Sequence, residues 1–288
     1  MWLHDAMKVL PHTTDRNDEG WPISEPMLDS EGTQVLLSQA FSARNVAATD
    51  SLAECAYARL RYALIVGQVA PGECLTLGAL ARWFGTSVTP VRDAMSRLAA
   101  AEALHQNRQS GVVVPMLTSV EIDELLQLRL AIEGFAFAIA APNHRVSDWR
   151  GFKVLHADLS RVAERDDPVR FAAAVWSVRV AILGLARPSV LAMLVDRIWC
   201  RLGPTFTRMA TDIEQRRRIS CLLADIVAAI GRRDLEQARK AVMDEITAGM
   251  APSRGAVADE PSAPPLVLIS MSARRKAPSD HESGAAHG

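Results

Sequence analysis

Residues 80–98 read LARWFGTSVTPVRDAMSRL, and this stretch decides the fold. Val91, Ala94, Met95 and Leu98 recur at helical spacing and face a core, which leaves Thr89, Arg92, Asp93, Ser96 and Arg97 toward solvent. Pro90 falls in the first turn, where a helix loses no donor to it. Ser87 stands at the cap position, and the helix is expected to run to about Ala101. Gly85 ends a shorter helix before it, capped by Thr76 and turning Leu77, Leu80 and Ala81 inward. A hydroxyl and an arginine beside the free backbone donors of a helix start make a reader of phosphates or base edges. Arginine can grip guanine through two hydrogen bonds at once. Taken alone, the same side chains also suit a solvated face on which Asp93 and Arg97 form a weak pair one turn apart.

Upstream, ECAYARLRYALIV at 54–66 lines up Ala56, Leu60, Ala63 and Leu64 on one helical face, and Gly67 with Pro71–Gly72 then turns the chain. Downstream, 104–107 and 112–114 read as two short antiparallel strands joined through 108–111. Three helices and a two-stranded wing make a winged helix-turn-helix. Across this segment Arg59, Arg61, Arg82, Arg92, Arg97 and Arg108 only modestly outnumber Glu54, Glu73, Asp93 and Glu102.

Beyond a seam at 115–119 the chain is helix after helix. Expected spans are 119–140, 147–165, 169–185, 189–209, 213–230 and 235–249, separated by Pro142, Pro168, Pro188 and Gly231. Short connections favour an antiparallel bundle. The fold class is therefore mainly α, with a winged domain at 49–116 and a helical domain at 117–250. The ends, 1–48 and 251–288, are rich in Pro, Ser, Gly and charge, and are expected to be disordered.

Composition removes several functions. With 288 residues, 49% of them apolar, the chain has material for about two domains. Its 32 basic and 33 acidic side chains balance to −1, so a DNA-binding face must be local. No run approaches the ~18 uninterrupted apolar residues of a spanning helix, and the first residues lack a secretory pattern. Cys55, Cys74, Cys200 and Cys221 lie far apart and read as reduced, buried thiols, which points to a cytoplasmic protein with no membrane partner. No nucleophile elbow, phosphate loop or metal-binding helix pair is present, so an enzyme is not expected. The arginine run at 216–218 reads as a solvated face.

Residues 56–115 closely resemble the amino-terminal domain of the GntR family of bacterial transcription regulators. The matching pieces are LRYALIVGQVAPGECL, LARWFGTSVTPVRDAMSRL and the SGVVV wing. The resemblance implies a homodimer on double-stranded, palindromic operator DNA, with the recognition helix in the major groove and the wing glycine in the adjacent minor groove. By position, Thr89 and Arg92 match the family's DNA-contacting residues and Gly111 its wing tip. Ser87 and Arg97 join them as candidate DNA contacts. One departure matters: where the family commonly has a basic residue between Ser87 and Thr89, this chain has Val88.

The bundle resembles the FCD branch of that family. ELLQLRLAIEGFAFAIAA carries its pattern at Arg129, Glu133 and Ala136, and LLADIVAAIGRRDLEQARKAVMDEI does so at Ile226, Ala229, Asp234 and Ala238. Many members bind a divalent metal through one Asp and three His. Registered on the 186–188 turn and on Asp234, those positions hold Ala174, Val178, Leu223 and Glu245, so no metal and no cofactor is expected. Arg129 matches an inward arginine that helps to hold an acidic effector. A buried arginine needs a partner, and Glu245 could supply one as a structural ion pair. Arg129, Arg179 and Glu245 are accordingly the candidate effector residues. A lone His156 reads as a packed or surface histidine. The expected function is a repressor that senses a small organic acid or acyl ligand without a metal. The alternative is a ligand-free bundle serving only dimerisation or protein interaction.

Overall fold

The computed structural model describes residues 51–107, 111–143, 146–184 and 190–250. The two ends expected to be disordered lie outside the described residues, as do Arg108 and the 186–188 turn.

The winged domain opens with α1 (Leu52–Ile65), whose cap Ser51 accepts the Glu54 amide at 3.3 Å. After β1 (Cys74–Leu75) comes α2 (Leu77–Phe84), started by Thr76 accepting the Ala79 amide at 3.3 Å and stopped by Gly85 at φ +64°. A left-handed residue suits glycine there because no Cβ crowds the following carbonyl. Next is α3 (Val88–Ala100), followed by β2 (His105–Asn107) and β3 (Gly111–Val113). Val91, Ala94, Met95 and Leu98 are all buried against α1 and α2, as their spacing predicts.

The wing differs from the expected two strands. β1 joins it, giving the antiparallel order β1-β3-β2 with Leu75 opposite Val112 and His105 opposite Val113. A strand of two residues is too short to display alternation, so nothing in the sequence announced it.

In the bundle, α4 (Ser119–Ala140) is followed by a 3₁₀ turn (Ala141–Asn143), α5 (Val146–Ala163), α6 (Pro168–Gly184), α7 (Val190–Met209), α8 (Ile213–Gly231) and α9 (Leu235–Met250). These helices begin and end within two residues of their expected spans. A capping box in which Thr118 and Glu121 satisfy each other's backbone amides starts α4. Within the bundle α4 packs on α9, α7 and α6, while α5 packs on α6 and α8. Buried apolar residues form one continuous cluster from Leu60 and Leu98 to Trp199 and Ile246, so the two domains share a core.

The join is made by α7 crossing α1. Arg61 pairs with Asp196, and Thr207 Oγ1 donates to the Val66 carbonyl at 3.1 Å. A Cβ at Gly203 would stand 2.3 Å from the carbonyl oxygens of Leu64 and Ile65, so only glycine lets the helices come this close.

Two expectations need revision, and a third is qualified. Only Cys200 is buried, whereas Cys74 and Cys221 are exposed and Cys55 is half-buried. The arginine run is not a simple solvated face, since Arg216 is buried and donates to the carbonyls of Ala163 (3.1 Å), Ala210 (2.8 Å) and Thr211 (2.8 Å). Those are helix-end carbonyls with no intrahelical partner, and a guanidinium can serve several at once. Finally, α4 with its 3₁₀ extension is long and apolar enough to cross a membrane by length and composition. Its middle carries buried Arg129 and Glu133, which pair with other helices of the bundle.

Candidate nucleic-acid interface and bundle interior

The start of α3 presents a contiguous exposed strip of Ser87, Val88, Thr89, Arg92, Asp93 and Ser96. Pro90 and Val91 are buried beneath it and hold the turn in place. Ser87 occupies the cap position without a side-chain capping bond, which leaves its hydroxyl available to a ligand. Arg92 is exposed and makes no ion pair or hydrogen bond among the described residues.

Arg97 is placed differently. Its Nη1 donates to Glu54 at 2.6 Å, its guanidinium lies 3.9 Å from the Tyr57 ring centre, and Asp93 stands 3.6 Å away. The hydrogen bond to Glu54 raises its pKa, with the nearby charges adding to the effect. Arg97 thus braces α3 against α1. Arg59 donates to the Phe84 carbonyl at 2.7 Å and Arg61 pairs across to α7, so much of the local basic count is used inside the fold.

Gly111 lies in β3 opposite Asn107. A Cβ there would fall 2.2 Å from the Leu75 carbonyl oxygen, so glycine is required by the close pairing with β1. The turn at 108–110 lies outside the described residues.

Inside the bundle, four charged side chains from α4, α6 and α9 meet. Arg129 Nε donates to Glu133 Oε1 at 2.8 Å, and Arg179 Nη1 donates to Glu133 Oε2. Arg179 Nη2 donates to Glu245 Oε2 at 2.6 Å, while Arg129 Nη2 stands 3.9 Å from the same oxygen. Trp199 Nε1 on α7 completes the shell of Glu133 at 3.1 Å, and its ring lies under both guanidiniums. Burial alone would raise the Glu133 carboxyl, but the Arg129 and Arg179 charges and the bonds from Arg129 and Trp199 hold it below the ordinary range.

The nearest partner of Arg129 is therefore Glu133, one turn along its own helix, and Glu245 serves chiefly Arg179. The i, i+4 spacing of Arg129 and Glu133 was the available signal. Trp199 had none, because nothing in sequence places α7 beside α4. Satisfaction is incomplete: Arg129 Nη1 and Nη2, Arg179 Nε and Glu245 Oε1 are buried without a hydrogen-bond partner. Beside them lies a cavity of about 20 Å³, lined by Phe137, Ile182, Leu223, Ile226 and Val242 together with Glu133, Arg179 and Glu245. That is room for a water molecule. Ala174 and Val178 are buried on α6. His156 Nε2 donates to the Ser220 carbonyl at 2.9 Å, a packed histidine.

Residues 52–114 match the family described as bacterial regulatory proteins, gntR family, and residues 124–248 match the FCD domain. A curated relative from Paenarthrobacter nicotinovorans, the probable D-xylose utilization operon transcriptional repressor, is 30% identical over 194 residues, covering 64% of this chain and 76% of that protein. The chain belongs to the GntR family of bacterial regulatory proteins. This GntR protein is also 29% identical over 145 residues to the HTH-type transcriptional regulator McbR of Escherichia coli (strain K12), a match spanning 50% of this chain and 66% of that one. A solved structure of E. coli McbR/YncC superposes with a TM-score of 0.67 at 25% identity, covering 71% of this chain and 97% of that one. As a GntR protein with an FCD domain, it is a DNA-binding transcription regulator, and its families and named relatives are regulators, not enzymes.

Proposed function

We propose that this GntR regulator is a metal-free repressor that grips palindromic operator DNA as a homodimer, reading each half-site with Ser87, Thr89 and Arg92. The observation that carries this reading is the exposed strip at the start of α3, which holds an uncapped Ser87 hydroxyl and an arginine with no ion pair or hydrogen bond among the described residues. Free donors at a helix start, a hydroxyl and a guanidinium are the chemistry of phosphate and base-edge contact. Gly111 contributes by letting the wing pack tightly, and Arg97 by holding α3 in place.

Dimerisation is supported by the outer face of α4. Leu128, Ala131, Phe135, Ala138 and Ile139 recur there at three- and four-residue intervals and are exposed, Phe135 at 59%. An apolar stripe with small residues between large ones suits a second helix, and the second copy of this chain is the proposed occupant.

The bundle does not fit the family's metal. Ala174, Val178 and Leu223 offer no donor atoms, and no group of three or more His, Cys, Asp or Glu among the described residues is placed to bind an ion. Two guanidiniums beside two carboxylates leave the interior close to neutral. A small organic acid would have to compete with Glu245 for Arg179. The small cavity and the balanced charge favour the ligand-free bundle as the second reading.

The test is an anisotropy titration of the full chain on its own upstream DNA. Arg92→Ala loses about 1–3 kcal/mol of specific affinity and leaves nonspecific binding nearly unchanged, the cost of one good base contact. Unchanged specific affinity refutes the assignment. Elemental analysis of protein prepared without chelator finds no stoichiometric metal; one Zn, Ni or Mn per chain overturns the metal-free reading.

A further inference from the structure

The buried charges invite a question about what the interior would hold if one of them were removed. Arg129 and Arg179 come from α4 and α6 and are almost fully buried, at 0% and 6% exposure. Neither helix could carry such a group inward without an anion to meet it, because an uncompensated buried charge is strongly unfavourable. Glu133 answers part of the need from within α4. The rest is answered by a carboxylate on a different helix, Glu245 of α9, itself 1% exposed.

The fit of Glu245 is imperfect. One oxygen takes the Arg179 bond at 2.6 Å, but Oε1 has no partner, and both terminal nitrogens of Arg129 go unmet with Glu245 Oε2 at 3.9 Å. Its side chain lies on the wall of the adjoining void. Where its tether places it, the Glu245 carboxylate bonds Arg179 but not Arg129, whereas a free carboxylate can turn to face both. We infer that Arg129 and Arg179 form a site for a small monocarboxylate, and that the Glu245 side chain occupies this site as a ligand supplied by the chain itself.

The chemistry is closely matched. Replacing Glu245 by alanine removes Cγ, Cδ and the two carboxylate oxygens, which are the heavy atoms of an acetate ion. It also leaves the two guanidiniums with one carboxylate between them, so the emptied space is cationic and lined by Phe137, Leu223 and Val242. Formate and acetate fit by size, and propionate gains apolar contact with that wall. In the native chain the site is filled, and the α9 helix is held to α4 and α6 by the same contact. This extends the metal-free reading of the bundle and rests on it. The readout uses no DNA, so its failure and the failure of the Arg92 assignment are distinguishable.

The experiment is a thermal titration of full-length native protein and of Glu245→Ala with formate, acetate, propionate, acetamide and chloride, the salts at equal ionic strength. The variant melts roughly 10 °C below the native chain. Its Tm then climbs with the logarithm of carboxylate concentration, as expected of a ligand bound only by the folded state. Chloride and neutral acetamide do not reproduce the climb, and the native chain shows none beyond the general effect of salt. A variant that ignores carboxylates overturns the inference, as does a native chain that responds as strongly as the variant. Should Glu245→Ala not accumulate folded, its recovery on refolding in acetate against chloride decides the same point: higher recovery in acetate supports the site, and equal recovery overturns it.

Discussion

Replacing Gly203 by alanine adds one methyl group at the tightest crossing between the two domains. The new Cβ would lie 2.3 Å from the carbonyl oxygens of Leu64 and Ile65 and 2.6 Å from the Ile65 carbonyl carbon. All three obstacles are backbone, so no side chain can swing aside, and α7 must back away from α1 by on the order of 1 Å. Overpacking of this kind costs about 1–3 kcal/mol. Alanine's better helix propensity offsets up to about 1 kcal/mol of that, leaving a net loss near 1–2 kcal/mol. For a domain pair of this size the melting temperature then falls by roughly 2–8 °C. The displacement does not stop at α1, because Glu54 and Tyr57 of that helix hold Arg97 of α3. Operator affinity therefore drops together with stability. Gly78→Ala is the internal control: its Cβ meets nothing within 4 Å, so α2 gains up to about 1 kcal/mol. Calorimetry and operator anisotropy on the two variants make the comparison. If Gly203→Ala is as stable as the native chain and binds its operator equally well, the packing argument is wrong.

Further expectations follow from the same geometry. Phe135→Asp with Ile139→Asp places charge in the exposed α4 stripe and prevents the proposed dimer from forming, so that light scattering reports half the native mass; an unchanged mass rejects that face. Val88 is 42% exposed beside Thr89, where it can touch a thymine methyl group, so replacing thymine by deoxyuridine at the contacted base weakens native binding but not that of Val88→Ala. Equal losses for both proteins remove Val88 from the reading. Because Glu133 titrates below its ordinary value in the folded state, its contribution is complete above roughly pH 4.3 and disappears as pH falls through the depressed value. Urea denaturation should therefore show Glu133→Gln about 3–5 kcal/mol less stable at pH 7, with the gap closing below pH ~4. A gap independent of pH contradicts the ion-pair account.

How far the residues announced this architecture depends on the range over which each signal acts. The buried face of α3 was legible because Val91, Ala94, Met95 and Leu98 follow the helix period, and the bundle spans were legible because Pro and Gly punctuate them. Signals that need two distant elements were not. The role of Arg97 depends on Glu54, and that of Arg216 on the ends of two other helices. The arginine excess near the recognition helix overstated the positive surface, since Arg59, Arg61 and Arg97 face partners within the protein. In the interior, the family pattern correctly pointed to Arg129 and Glu133. Their i, i+4 spacing signalled that pair, but nothing in the sequence could say that Arg179 and Glu245 join it, because the positions of α6 and α9 relative to α4 are written in packing.

The Arg216 guanidinium bears on how this protein can be dissected. It clasps the terminal carbonyls of α5 and of the segment after α7 from the first turns of α8. Trimming the chain from its C-terminal side past α8 would strip the clasp from both at once, leaving those peptide oxygens without the donor that meets them in the intact fold. A shortened version without α8 would need a substitute donor at that spot, and the boundary of the smallest self-sufficient unit should be drawn beyond it.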